Sequence, residues 1–226
     1  MAVIAFPALP NPELVLFDLD GTLVDSIPDL TSAVDAMLMT LGLEPAGQAQ
    51  VSHWVGNGAP KLVERAIQAM SAESLTEARL TQANQLFNEH YQYHNGEQAC
   101  VYQGVLAFLQ HLHQQNISMG IVTNKPSQFT EQLLERLNLA HFFNLVLSGD
   151  SLPEKKPSPE PLLHAMDFFA KGPQDTLMVG DSINDVKAAR SANVSVVAVS
   201  YGYNHGEQID TANPDKVVDS LAELLC

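Results

Sequence analysis

The chain of 226 residues carries 26 acidic against 11 basic side chains, a formal net charge of −15, and 46% hydrophobic residues. Such a length and apolar fraction suit one generous globular domain, or a domain with a smaller one inserted, around a sizeable core. The charge argues against nucleic acid and anionic membrane as partners, because no clustered Lys and Arg are present to neutralise phosphate groups, and a site for a phosphorylated molecule would need positive charge of its own from a metal, a lysine or backbone donors. In chain order, residues 1–12 hold prolines but neither the basic start and long apolar stretch of a signal peptide nor a transit-peptide pattern. No apolar run has the length of a membrane span. Cys100 and Cys226 make no spaced framework and read as free thiols, so a cytoplasmic protein is expected.

The run Leu14 to Phe17 ends in Asp18, the pattern of a buried parallel strand that delivers a carboxylate at its carboxyl end. Similar runs recur at 119–122, 145–147, 177–179 and 196–199, with helical patterns between them. Alternation of this kind predicts an α/β fold with a doubly wound, Rossmann-like parallel sheet. About a hundred residues separate Asp18 from the next clear strand, far more than one crossover needs. Within that stretch Leu30, Val34, Met37, Leu38 and Leu41 share a helical face that Gly42 would stop. Leu62, Val63, Ala66, Ile67 and Met70 make a second stripe. Ser74-Leu75-Thr76-Glu77 has capping-box spacing ahead of a third helical stretch running towards Tyr93. An inserted helical domain is therefore expected over residues 26–99, with Trp54 packed inside it, and the core would comprise 1–25 and 100–226.

Four polar constellations sit at predicted strand ends, where open α/β sheets bind ligands. Asp18-Leu19-Asp20-Gly21-Thr22 follows the first strand, and Gly21 permits a tight turn that brings Asp20 beside the same crevice. An isolated Asp-Gly pair is ordinarily a surface turn; its placement here reverses that reading. Gly180-Asp181-Ser182-Ile183-Asn184-Asp185 follows another strand, where Asp or Ser would also cap the helix expected over 183–192. Carboxylates from two strand ends repel one another, and a hard cation bound through oxygen relieves the repulsion, which points to Mg2+. Thr123-Asn124 offers a hydroxyl, an amide and backbone N–H groups to phosphate oxygens. Lys155-Lys156-Pro157 could provide the point cation, with either lysine as the source. In the insert, Gly56-Asn57-Gly58 could present backbone donors to a small carboxylate and so set specificity, with Lys61 and Arg65 nearby but expected to face solvent.

These motifs, DxDGT, Thr-Asn, Lys-Pro and Gly-Asp-x-x-x-Asp, occur in the order of the haloacid dehalogenase-like hydrolase superfamily, which the chain resembles from Leu14 to its C-terminal region. Trp54-Val55-Gly56-Asn57-Gly58-Ala59, Thr123-Asn124-Lys125 and Ser200-Tyr201-Gly202-Tyr203-Asn204 extend the resemblance to the bacterial phosphoglycolate phosphatase branch. The resemblance implies a helical cap over a Rossmann-like core. It implies Asp18 as the nucleophile that becomes an aspartyl phosphate and Asp20 as the general acid and base. Mg2+ would be held by the carboxylates of Asp18 and Asp181 and the main-chain carbonyl of Asp20. Thr123 and Asn124 would hold phosphate oxygens, Lys156, which directly precedes proline, would balance charge, and Asp185 would orient Lys156 or a metal-bound water. Asp20 must carry a proton in the first transfer, which burial or neighbouring carboxylates would favour.

The expected activity is hydrolysis of a small phosphorylated metabolite, foremost 2-phosphoglycolate to glycolate and phosphate, by a monomer or homodimer. Dehalogenation within the superfamily needs no general acid, so Asp20 argues against it. A phosphomutase shares the core motifs. A catalytically idle binding protein on the same scaffold would have no need of Asp18, Asp20, Lys156 and Asp181 together.

Overall fold

The computed structural model describes residues 11–225. The first ten residues and Cys226 lie outside the described residues, and with them most of the leader region considered above and the second thiol. The chain opens with β1 (Leu14–Phe17) and the short β2 (Val24–Asp25), then runs through α1 (Ile27–Thr40), α2 (Gln48–Trp54), α3 (Ala59–Met70) and α4 (Glu77–His94) before returning as β3 (Cys100–Val101). The rest follows as α5 (Val105–Gln114), β4 (Ser118–Val122), α6 (Ser127–Arg136), β5 (Leu145–Leu147), α7 (Glu160–Phe169), β6 (Thr176–Gly180), α8 (Ile183–Ser191), β7 (Ser195–Val199) and β8 (Lys216–Val218).

Six strands form one parallel sheet in the order β5, β4, β1, β6, β7, β8. Each residue of β1 is fully buried, and alternation divides them: Val15 and Phe17 enter one core layer, Leu14 and Leu16 the other. Because β1 lies between β4 and β6, the chain leaves it towards both edges of the sheet, and a crevice opens at the carboxyl ends of these three strands. Asp18, Thr123 and Asp181 stand directly beyond them.

The helices α1–α4 occupy the long interval between β2 and β3, which pair antiparallel, Val24 with Val101 and Asp25 with Cys100, so that the chain leaves and returns side by side. The expected stripes meet in a separate apolar cluster with Val51, Phe87 and Tyr91, and Phe129 of α6 joins it from the core side. Trp54 packs against that cluster as expected. Gly42, with φ +74°, follows the end of α1 as the sequence suggests. The third helix starts otherwise than expected: Thr76, not Ser74, is its N-cap, and its hydroxyl accepts from the Arg79 N–H at 3.2 Å. A hydroxyl caps the amide three residues on, and with Glu77 as the first helical residue Ser74 is too early to reach it. No helix of the described residues is long and apolar enough to cross a membrane, and Cys100 is a free, exposed thiol.

Candidate active site

The turn after β1 is forced into shape by close approach. Gly21 has φ +87°, and a Cβ there would lie 2.4 Å from Asp181 Oδ2, so only glycine lets the DxDGT turn press against the β6 end. Thr22 then donates to Asp181 Oδ1 at 3.0 Å, and the main-chain N–H of Tyr203 donates to Oδ2 at 2.8 Å. Those two bonds fix the Asp181 plane. Tyr203 also accepts from Ser26 N–H at 2.9 Å and donates to Asp25 Oδ1 at 3.0 Å, which ties the Asp181 support to β2 at the root of the insert.

Of the two neighbouring lysines, Lys156 is the one brought to the crevice. Its buried ammonium lies 2.9 Å from Asp18 Oδ1 and 2.6 Å from Asp185 Oδ1. Lys155 instead lines an outer groove with Lys61, Glu64 and Arg65. Asp185 is fully engaged, because Oδ2 accepts from the Ser182 N–H at 3.0 Å and hydroxyl at 2.8 Å in a reciprocal cap at the start of α8. Burial opposes the charge on Lys156, yet Asp18 and Asp185 outweigh it and its pKa is raised.

Carboxylate oxygens of Asp18, Asp181 and Asp185 lie within 4.8 Å of one another. Burial raises the Asp18 carboxyl to about 6 against the pull of Lys156. Burial, followed by repulsion from Asp18 and Asp185, holds Asp181 well above the carboxylate range. Asp18 Oδ1 is buried without an aligned hydrogen-bond donor, its approach to Lys156 being an ion pair only. An all-oxygen set of buried carboxylates that repel one another fits a small hard divalent cation. Asp185 already faces the Lys156 cation and caps α8, so the carboxylates that would hold it are Asp18 and Asp181, the latter through lone pairs beyond those that accept from Thr22 and the Tyr203 N–H.

A half-open cavity of about 50 Å³ lies beside Asp18. Asp18, Asp20, Thr123, Asn124 and Lys125 form its core side, while Leu30, Val55, Gly56, Gly58, Leu62 and Tyr91 come from the insert. Several expected residues behave differently there. Both amide N–H groups of Asn124 are committed, to Gly56 O at 3.1 Å and Lys156 O at 3.0 Å, so its side chain binds protein carbonyls rather than presenting a free amide to phosphate. Asn184 donates to the same Gly56 carbonyl at 3.1 Å, docking the insert onto the core. Asn57 is not in the cavity wall. Arg65 draws Asn57 Oδ1 outward at 2.7 Å and holds the Trp54 carbonyl at 2.6 Å, so Arg65 is a partly buried brace instead of a solvent-facing charge. Asp20 has a cation for its neighbour where sequence suggested carboxylates: Lys125 Nζ sits 3.2 and 3.3 Å from its two oxygens.

That cation is the functional candidate the sequence reading passed over. Lys125 donates to the Tyr91 hydroxyl as well, and both side chains are buried in the cavity wall. Burial lowers the Lys125 pKa despite Asp20, and burial with Asp20 and Asp29 raises that of the Tyr91 phenol well above normal. The only sequence signal was the position of Lys125 directly after Thr123-Asn124. Tyr91 reads as one more residue of a helix interior.

The family model described as haloacid dehalogenase-like hydrolase matches residues 15–199. A phosphoglycolate phosphatase of Nitrosococcus oceani is 47% identical over 216 residues, 96% of each chain. One of Pseudomonas putida is 46% identical over 95% of this chain and 79% of its own. Among solved structures, that of a predicted phosphoglycolate phosphatase from Haemophilus somnus superposes with a TM-score of 0.91 at 36% identity, covering 94% of this chain and 96% of that one. With a family match across the whole catalytic sheet up to β7 and relatives alike over nearly their full length, the chain belongs to the haloacid dehalogenase-like hydrolase family, as one of its phosphoric monoester hydrolases.

Proposed function

We propose that the protein is a Mg2+-dependent phosphatase that hydrolyses 2-phosphoglycolate through a phosphorylated Asp18. The observation that carries this reading is the convergence, at one strand-end crevice, of Asp18, Lys156 and Asp181 beside a small half-open cavity. The names of the relatives support the substrate.

In this mechanism Asp18 attacks phosphorus in line, and the ester oxygen departs on the opposite side. Asp20, two residues on and facing the same cavity, protonates the departing alkoxide. It later takes a proton from the water that attacks the aspartyl phosphate, so that one difficult displacement becomes two easier ones. Lys156, fixed by Asp185, offsets the negative charge that Asp18 and the phosphoryl group bring together. Main-chain donors around Thr123 and Asn124, with the Thr123 hydroxyl, hold phosphoryl oxygens. Asp18, Asp181 and the Asp20 carbonyl would hold Mg2+, which when bound neutralises phosphate charge. The helical insert acts as a cap: its apolar residues Leu30, Val55 and Leu62 wall the cavity, exclude water and limit the size of the alcohol.

The test is a phosphate-release assay on a panel of small esters with and without Mg2+, together with Asp18→Asn. The wild type should prefer 2-phosphoglycolate, lose turnover on chelation and regain it with Mg2+. Asp18→Asn should fold and melt cooperatively yet turn over at less than about a thousandth of the wild-type rate. A phosphoryl group trapped on another residue, or activity indifferent to Mg2+, would remove the proposal.

A further inference from the structure

We propose that Lys125 and Tyr91 form the subsite that recognises a carboxylate on the leaving alcohol, and that they restrict the enzyme to short phosphate esters carrying that anion beside the ester carbon. The inference rests on the phosphatase reading above and assigns its specificity to two residues outside the family motifs used there.

The first support is an inventory of donors. The Lys125 ammonium has three N–H groups. The nearly equal distances of 3.2 and 3.3 Å to the two Asp20 oxygens describe one shared contact, and the Tyr91 hydroxyl accepts a second. One N–H remains for the cavity that Lys125 lines. Tyr91, in accepting from Lys125, keeps its own hydroxyl proton to give, and among the described residues no acceptor for that proton is recorded. Two adjacent donors therefore face one cavity, the pattern that suits the two oxygens of a carboxylate.

The second support is placement. Asp20 serves the leaving oxygen, and Lys125 Nζ is one hydrogen-bond length further on. Counted along the contacts, an anion bound by Lys125 then falls within three such lengths, roughly 9 Å, of the leaving oxygen. A carboxylate on the carbon that bears the ester oxygen meets that limit, and each added methylene moves the charge away.

The third support is rigidity and dryness. Tyr91 is clamped between Phe87 and Phe129, with ring centroids 5.2 and 4.7 Å away. The Lys125 carbonyl is fixed by Gly149 N–H at 2.8 Å. The insert side of the cavity is otherwise apolar at Leu30, Val55 and Leu62, where a charged contact is worth more than in water and a neutral alcohol gains nothing from it. Asn57, the insert residue with the side chain suited to this task, is turned away by Arg65.

The experiment compares 2-phosphoglycolate, 3-phosphopropionate, ethyl phosphate and an aryl phosphate with the wild type, Lys125→Met, Lys125→Arg and Tyr91→Phe, all with saturating Mg2+. Thermal melts report folding, and Tyr91→Phe keeps the ring packing should Lys125→Met fail to fold. The expected wild-type order is 2-phosphoglycolate first by at least about tenfold. Lys125→Met should cut kcat/KM for 2-phosphoglycolate about thirtyfold more than for the aryl phosphate, with most of that difference in KM. Lys125→Arg should restore part of it, and Tyr91→Phe should give a loss of about tenfold confined to 2-phosphoglycolate. Inhibition by glycolate should weaken in step. Equal losses on all four esters would make Lys125 a support for Asp20 alone and overturn the inference, as would a wild type indifferent to the carboxylate. A wild type inactive on every ester would instead overturn the phosphatase reading, and this inference with it.

Discussion

A lysine buried between two aspartates illustrates what single residues must do here. Lys156 is 2% exposed, and a lone ammonium so placed would be driven to its neutral form; Asp18 and Asp185 reverse that tendency and keep it charged. Its carbonyl, held by Asn124, and its ammonium, held by Asp185, leave little freedom to drift from Asp18. Lys156→Met should therefore lower kcat by about a hundred- to a thousandfold, the range for removing one preorganised charge from a phosphoryl-transfer site. Excess Mg2+ should not recover it, because the metal would sit on the Asp181 side of Asp18. Asp185→Asn keeps a partner for Lys156 and should lose less. Single-turnover kinetics of both variants at several metal concentrations check the ranking, and full recovery of Lys156→Met by Mg2+ would contradict it.

Among the elements, the insert depends on how its return segment is tied to its first helix. Asp29 of α1 is fully buried; Oδ2 accepts from Gly96 N–H at 2.7 Å and Ala99 N–H at 3.1 Å, and Oδ1 from Gln98 N–H at 2.8 Å. These bonds gather the end of α4 against the start of α1, immediately before β3 pairs with β2. Asp29→Ala strands three main-chain donors and should cost about 3 kcal/mol, read as a lower urea midpoint with an unchanged slope; a loss below about 1 kcal/mol would show that water replaces the carboxylate. The segments legible in sequence were those with an apolar run, a strong period or a strand-end carboxylate: β1, β4, β5, β6 and β7, the stripes of α1 and α3, and the motifs at three strand ends. Strands β2 and β3 have two residues each and no detectable alternation. β8 is a three-residue edge strand in which Val218 is buried but Lys216 and Val217 are only partly so, and it lacks the apolar run of its neighbours. Asp29 and Lys125 escaped for another reason, since their partners lie 67 to 70 and 105 residues away and no local pattern encodes such a meeting. Gly56 and Gly58 line the cavity, while Arg65 holds the Asn57 side chain outward, a competition that a glycine-flanked polar residue does not reveal.

Across the whole molecule the acidic charge and the acidic crevice act together. A protein of net charge −15 gathers cations at its surface, and in the crevice the buried pair Asp18 and Asp181 adds a local penalty to the folded state. The sign follows from the raised values. A carboxyl whose folded pKa exceeds its unfolded value of 3.8 holds its proton more tightly when folded, so the contribution of these two groups to stability is fullest below 3.8 and is lost as pH rises towards about 6 for Asp18 and further for Asp181. Towards neutral pH the pair therefore costs the folded protein stability, and a divalent cation held by Asp18 and Asp181 would offset that cost. At pH 5 the cation must first displace protons, and its affinity drops. Mg2+ at about a hundred times its dissociation constant should add about 2.7 kcal/mol at pH 7.5, a rise in Tm of roughly 5–10 °C for a chain of this size. The same concentration at pH 5 should give less than half that rise, and Asp181→Asn should give almost none at either pH while starting from a higher metal-free Tm at pH 7.5. Differential scanning calorimetry with Mg2+ titrated at both pH values decides the point: equal shifts at pH 5 and 7.5, or an undiminished shift in Asp181→Asn, would mean that the cation stabilises the protein through its acidic surface and not through this pair.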